Sequence, residues 1–172
     1  MRSLGDFTSP ELSPGPRVLV LPVGSCEQHG PHLPLDTDTR IAAAIVAALV
    51  AGRPDLVAGA PLPYGASGEH AGFPGTVSIG GPALTQVLVE ICRSLGPEFT
   101  GAAFVSWHGG NREAVEAAVA LARREGRQAL AVFPGARGDA HAGRTETSLL
   151  LALAPETVRL EQRAREFADE EN

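Results

Sequence analysis

Carboxylates and imidazoles, the side chains that hold divalent cations, crowd into three short stretches of this 172-residue chain. The first is Ser25-Cys-Glu27-Gln-His29-Gly-Pro-His32, followed by Asp38; the second is His108-Gly-Gly-Asn111; the third is Asp139-Ala-His141-Ala-Gly-Arg-Thr-Glu146-Thr-Ser148. In extended backbone Glu27 and His29 point to the same side, because strand side chains alternate with a period of two. The turn-rich Gly30-Pro31 and Pro34 segment allows the chain to fold Asp38 back toward them. Three carboxylates with two or three histidines suit Zn, Mn or Fe(II). Two ions about 3.5–4 Å apart sharing a carboxylate are common in hydrolases with such ligand sets, and one ion is the simpler alternative. Taken singly, each residue also has a structural use: Asp38 can cap a helix, and Glu146 suits a helix N-terminus. Cys26 has no evident base beside it and reads as a small buried thiol.

The elements that must position these residues alternate between strand and helix. Arg17 to Gly24 is a near-continuous apolar run, as expected for a parallel strand buried on both faces. A helix is expected over Thr39 to Ala51, capped by Asp38 or Thr39 and stopped by Gly52 and Pro54. Leu56 to Tyr64 reads as a second strand interrupted by Pro61 and Pro63. Gly65 to Gly81 holds six glycines and reads as a long loop, with room for a short strand at Thr76 to Ile79. Pro82 opens a helix to Leu95, with Leu84, Val87, Leu88 and Ile91 on one face. Ala102 to Trp107 is a third strand, Arg112 to Arg124 a helix, Ala129 to Phe133 a fourth strand, and Thr145 to Ala154 and Glu156 to Glu166 two further helices. This order predicts an α/β fold, a three-layer α/β/α sandwich with a mainly parallel sheet, whose ligands bind outside the carboxyl ends of the strands. Residues 1–16 read as a Pro- and Ser-containing leader and 17–172 as a single domain.

Composition narrows the function classes. The apolar fraction of 44% and charged fraction of 20% are those of a globular domain. A net charge of −6, with no lysine and scattered arginines, disfavours nucleic acid or an acidic membrane surface as partner. No apolar run approaches the roughly 18 residues of a membrane span, and no secretory h-region is visible, so the expectation is a cytoplasmic protein. Two cysteines, Cys26 and Cys92, make no disulfide framework.

Gly24-Ser-Cys-Glu-Gln-His-Gly-Pro-His-Leu-Pro-Leu-Asp-Thr-Asp38, His108-Gly-Gly-Asn111 and the Asp139 to Ser148 stretch together resemble the creatininase (creatinine amidohydrolase) family over about Arg17 to Pro155. The resemblance implies an α/β/α sandwich, one or two divalent ions (Zn, Fe or Mn), amide-bond hydrolysis and a homo-oligomer, often a hexamer. It places metal ligands at Glu27, His29, Asp38 and His108, with Asp38 as the bridge, and a proton-transfer histidine at His141. Within the family, Tyr64 to Gly80 looks most like the mycofactocin-system branch, which trims a small modified peptide by releasing a C-terminal Val-Tyr dipeptide. Three departures stand out. Creatininase itself has a carboxylate at the position of Gly110, which lowers the expectation of creatinine hydrolysis and suggests Glu146 as the replacement ligand. Ser106-Trp107 stands where Asn-Gly is usual. A Gly-rich C-terminal segment of the family is not present after Glu156 to Asn172.

The chemistry implied is attack on an amide by a metal-bound hydroxide, with His141 returning the proton to the departing amine. His32, Glu69, His70 and Trp107 are candidate substrate contacts, and Glu69 and His70 are equally readable as a solvated loop. Competing readings are a cyclic amidase, a formamide hydrolase, and an inactive binding or assembly paralogue.

Overall fold

The computed structural model describes residues 3–12, 14–135 and 141–163. Four strands, β1 (Arg17–Val23), β2 (Leu56–Ala58), β3 (Phe99–Ser106) and β4 (Gln128–Val132), pair in parallel in the order β2-β1-β3-β4. The helices between and after them are α1 (Thr37–Val50), α2 (Gly81–Ser94), α3 (Arg112–Arg124) and α4 (Arg144–Leu153). Period-two alternation divides the sheet between two helical layers. Leu19, Leu21, Val23, Ala102 and Phe104 pack under α2 and α3 around Leu84, Leu88, Val115 and Ala118. Val20 and Val105 face the other way, onto Val46 and Val50 of α1, and Ile41 of α1 meets Leu150 of α4. The result is the expected α/β/α sandwich. No helix among the described residues is long and apolar enough to cross a membrane.

The second strand is shorter than Leu56 to Tyr64, because Pro61 and Pro63 have no N–H to give to a ladder. The chain still tracks β1: Gly59 and Leu62 donate to the Val20 and Pro22 carbonyls at 2.9 Å each. No strand forms at Thr76 to Ile79, where Val77 N–H reaches the Cys26 carbonyl and Ile79 N–H the Gly65 carbonyl. Beyond α4, a 3-10 turn occupies Pro155–Thr157 and helical backbone resumes only at Leu160. The rest of the expected Glu156 to Glu166 helix lies outside the described residues, as does Asp139.

Helix α1 starts at Thr37, two residues early, so Asp38 sits inside the first turn and is not its cap. This follows from how tightly the end of β1 meets the helix. A Cβ on Gly24 would lie 2.6 Å from the Thr39 Cα, and the Thr39 hydroxyl donates to the Ser25 carbonyl at 3.0 Å. The strand order places β2 and β3 on opposite sides of β1, so the carboxyl ends of β1 and β3 flank a topological switch point, where such sheets bind ligands. Asp38 is delivered to that crevice. Gly24→Ala should therefore push α1 off β1 and cost about 1–3 kcal/mol, as overpacking does, read as a lowered midpoint in denaturant unfolding; an unchanged midpoint would show that α1 is not held at Gly24.

Candidate metal centre

The site begins with a buried amide. Asn111, fully buried after β3, accepts the Ala66 N–H on its Oδ1 at 2.8 Å, and its Nδ2 donates to the Gly24 carbonyl at 2.9 Å and the Ser106 hydroxyl at 3.1 Å. One side chain thus joins the end of β1, the end of β3 and the glycine-rich loop. Gly65 is required there, since a Cβ on it would lie 2.4 Å from Asn111 Oδ1 and 2.5 Å from the Gly24 carbonyl.

Glu27, His29, Asp38 and His108 converge on this frame, all buried. His108 Nδ1 lies 3.1 Å from Glu27 Oε1 and 3.3 Å from Asp38 Oδ2, and His29 Nε2 is 3.6 Å from the same Asp38 oxygen. The outer nitrogens set the tautomers: His29 Nδ1–H donates to the Glu27 carbonyl at 3.1 Å and His108 Nε2–H to the Ala66 carbonyl at 3.0 Å. Each ring therefore turns its inner nitrogen toward the carboxylates, as second-partner hydrogen bonds orient metal-ligating histidines. Asp38 Oδ2 also accepts the Ser25 hydroxyl at 2.7 Å. Burial works against charge on Asp38, but the neighbouring His108 and His29 imidazoles and the Ser25 hydroxyl prevail and hold its carboxyl well below the usual range. Burial likewise opposes charge on His108, yet the Asp38 and Glu27 carboxylates push it up to about 10, and His29 is raised by Asp38 and the Glu27 carbonyl against the same burial.

Both Glu27 carboxylate oxygens and His29 Nε2 are buried without a hydrogen-bond partner. Orphaned buried acceptors facing a second carboxylate are costly unless a cation joins them. Glu27, His29 and His141 have ligand atoms within 4.8 Å of one another; so do His29, Asp38 and Glu146, and so do Glu27, Glu69 and His108. The donor set fits one divalent ion or a pair.

The remaining predicted residues surround this core. His141, 30% exposed, donates from Nε2 to the Gln28 carbonyl at 2.6 Å and turns Nδ1 toward Glu27 Oε1 at 3.8 Å. Its ring lies between His29 and His70, at centroid separations of 4.3 and 4.4 Å. His70 is 3.6 Å from Glu27 Oε1 and takes the Gln28 side-chain amide on Nδ1 at 3.0 Å. Glu69 lies 3.4 Å from His108 Nε2. Glu146 accepts the Trp107 indole N–H at 3.0 Å and the Ala142 N–H at 2.7 Å. Ala142 has φ of 56°, a left-handed conformation that costs a non-glycine residue about 1–2 kcal/mol. A charged acceptor for its N–H, worth about 1.5–3 kcal/mol, offsets that cost and fixes the backbone beside His141. His32 stands apart: it is buried, with Nε2 on the Thr147 hydroxyl at 2.9 Å and Nδ1 unpartnered, and burial lowers its pKa.

Asn111, Ser25 and Gln28 were not among the predicted site residues, although all three lie inside the quoted motifs. Their types are common in turns and nothing local signals a partner 13 to 87 residues away.

The model of the family described as "Creatininase: Creatinine amidohydrolase" matches residues 6–172, and the chain belongs to that family. The mycofactocin precursor peptide peptidase of Mycolicibacterium smegmatis is 55% identical over 163 residues, covering 90% of this chain and 65% of the relative. The peptidase of the same name from Mycobacterium tuberculosis strain H37Rv is 47% identical over 171 residues, covering 92% and 67%. The creatinine amidohydrolase of Pseudomonas putida is 32% identical over 184 residues, covering 88% and 70%. This chain thus spans about two thirds of the length of the curated peptidases it matches. Among solved structures, a creatinine amidohydrolase superposes with a TM-score of 0.80 at 29% identity, covering 92% of this chain and 74% of the other. A manganese creatininase gives 0.80 at 30%, covering 94% and 77%, and a mutant creatininase of Zn–Zn type gives 0.75 at 28% with the same coverage.

Two outcomes test this site. Asn111→Ala leaves the Gly24 carbonyl and Ala66 N–H buried and unpaired, and should cost about 1–3 kcal/mol each in unfolding experiments; a loss under that range would deny the clamp. Because His108 holds its proton up to about pH 10, an incoming ion must displace it. Zn²⁺ affinity should rise about tenfold per pH unit between about pH 7 and 9 in chelator competition, and a flat profile would show that His108 is not displaced.

Proposed function

We propose that this protein is a metal-dependent amide hydrolase that acts on a small modified peptide, releasing the C-terminal Val-Tyr dipeptide of a mycofactocin-type precursor. The observation that carries the reading is the set of buried, unpartnered acceptors on Glu27 and His29, which sits within reach of Asp38 and His108 and beside the partly exposed imidazole of His141. The 47–55% identity to peptidases of that name supports the substrate class.

Glu27, His29, Asp38 and His108 would hold the ion or ions, with Glu146 as a further carboxylate. Zn, Mn and Fe(II) all suit these oxygen and imidazole donors. A bound divalent ion supplies Lewis acidity, polarising the amide carbonyl and acidifying water. The rest of the reaction falls to the chain itself. His141 Nε2–H is tied to the Gln28 carbonyl, so Nδ1 is the atom free to take a proton and return it to the departing amine nitrogen. The flanking His29 and His70 rings and the Glu146 to Ala142 bond keep that nitrogen aimed at the cluster. His70, Glu69 and Trp107 border the opening and are the candidate substrate contacts, while His32, buried on Thr147, supports α4 from behind. We place the working unit as a homo-oligomer, in line with the exposed Tyr64, Phe73, Val77 and Ile79 side chains around the glycine-rich loop.

Metal-loaded protein incubated with a decarboxylated precursor peptide ending in Val-Tyr should release the intact dipeptide, detected by mass spectrometry. His141→Ala should keep its metal and lose turnover by at least about 100-fold, the scale of general acid–base catalysis. No release from protein shown to hold metal would redirect the reading to cyclic amides and formamides, and full turnover in His141→Ala would remove its role.

A further inference from the structure

Gly110 lies two residues beyond His108, at a point where a side chain is excluded. A Cβ there would stand 2.1 Å from Glu69 Oε1, 2.5 Å from His108 Nε2 and 2.6 Å from the Ala66 carbonyl. The space beside the outer edge of the His108 ring is therefore filled by a carboxylate that arrives from the glycine-rich loop, about 40 residues earlier in the chain. Glu69 sits in the 3-10 turn Gly68–His70 and is 49% exposed, so packing alone does not force it inward. On its other side it lines a cavity of about 490 Å³ shared with Gly110, Thr85, Glu113 and Ala114.

We propose that Glu69 is a positioning residue for the metal centre: its carboxylate, lodged in the space left by Gly110, braces His108 Nε2 and so keeps His108 Nδ1 facing Glu27 and Asp38. This rests on the metal-centre reading above. His108 Nε2–H already donates to the Ala66 carbonyl at 3.0 Å, and Glu69 Oε1 approaches the same nitrogen at 3.4 Å. A carboxylate at the outer nitrogen of a ligating histidine orients the ring and raises the basicity of the inner nitrogen, and its loss typically weakens metal binding about 10- to 100-fold. Gly110 is then the condition for the arrangement: any larger residue would compete with the carboxylate for the same space.

The test uses the full chain and Zn²⁺, with affinity measured by competition with a chromogenic chelator and the folded state checked by thermal unfolding of the metal-free variants. Glu69→Ala should bind Zn²⁺ about 10- to 100-fold more weakly while the metal-free unfolding midpoint stays in place, because the side chain is half exposed. Glu69→Gln, which keeps the shape and removes the charge, should show a smaller loss of the same sign and carries the test if the alanine variant fails to fold. Glu113→Gln, the other carboxylate on the cavity, should leave affinity unchanged. Unchanged affinity in both Glu69 variants would overturn the proposal, and so would an equal loss in Glu113→Gln, which would indicate a general field effect and not a brace on His108. Full Zn²⁺ affinity in Glu27→Gln would overturn the metal centre itself, a failure distinct from that of Glu69.

Discussion

The three hydrogen bonds of Asn111 are the constraint on which the site depends. They satisfy a carbonyl at the end of β1, a hydroxyl at the end of β3 and an N–H of the glycine-rich loop, in a place where water cannot substitute. A buried backbone group left unpaired costs about 1–3 kcal/mol, roughly twice what an ordinary hydrogen bond contributes net. The three segments are thus held in one arrangement. Glu27 and His29 follow from the first, His108 from the second, and Glu69 and His70 from the third.

That rigidity lets the fold tolerate an unfavourable charge distribution. Glu27 and Asp38 are buried near each other at the switch point, with few donors for Glu27. Positive charge must come from an imidazole proton or from a cation, and the raised pKa of His108 expresses that demand. The inward orientation of His29 Nε2 and His108 Nδ1 is maintained by carbonyls behind the rings, so the electrostatics and the geometry of the cluster have a common origin in backbone placement.

The stretch that carries His141 and Glu146 plays a different part. Glu146 divides its oxygens between Trp107 and the left-handed Ala142, joining the end of β3 to the loop that carries His141. Trp107 thereby acts through its indole N–H as well as through its apolar surface. A carboxylate that sequence reading assigns to an ion is also the group that holds the loop of His141 in place.

Strand and helix order, the layered α/β/α fold and the convergence of Glu27, His29, Asp38 and His108 are legible from the sequence because each rests on a local signal. These signals are an apolar run buried on both faces, a glycine or proline at an element end, and metal-type residues placed just after strands. The early start of α1 and the missing strand at Thr76 to Ile79 were decided by tertiary contacts: the approach of Thr39 to Gly24, and isolated backbone bonds to Cys26 and Gly65. The clamp at Asn111, the left-handed turn at Ala142 and the placement of Glu69 against His108 belong to the same class. Their partners lie 4 to 87 residues apart, and all but the Glu146 to Ala142 bond exist only once the sheet has brought separate loops to one edge. Residue type and local spacing determine what a segment can do. Which groups meet, and which lone pairs are left facing inward, is set by burial, because only there does an unpaired polar atom cost enough to select one arrangement.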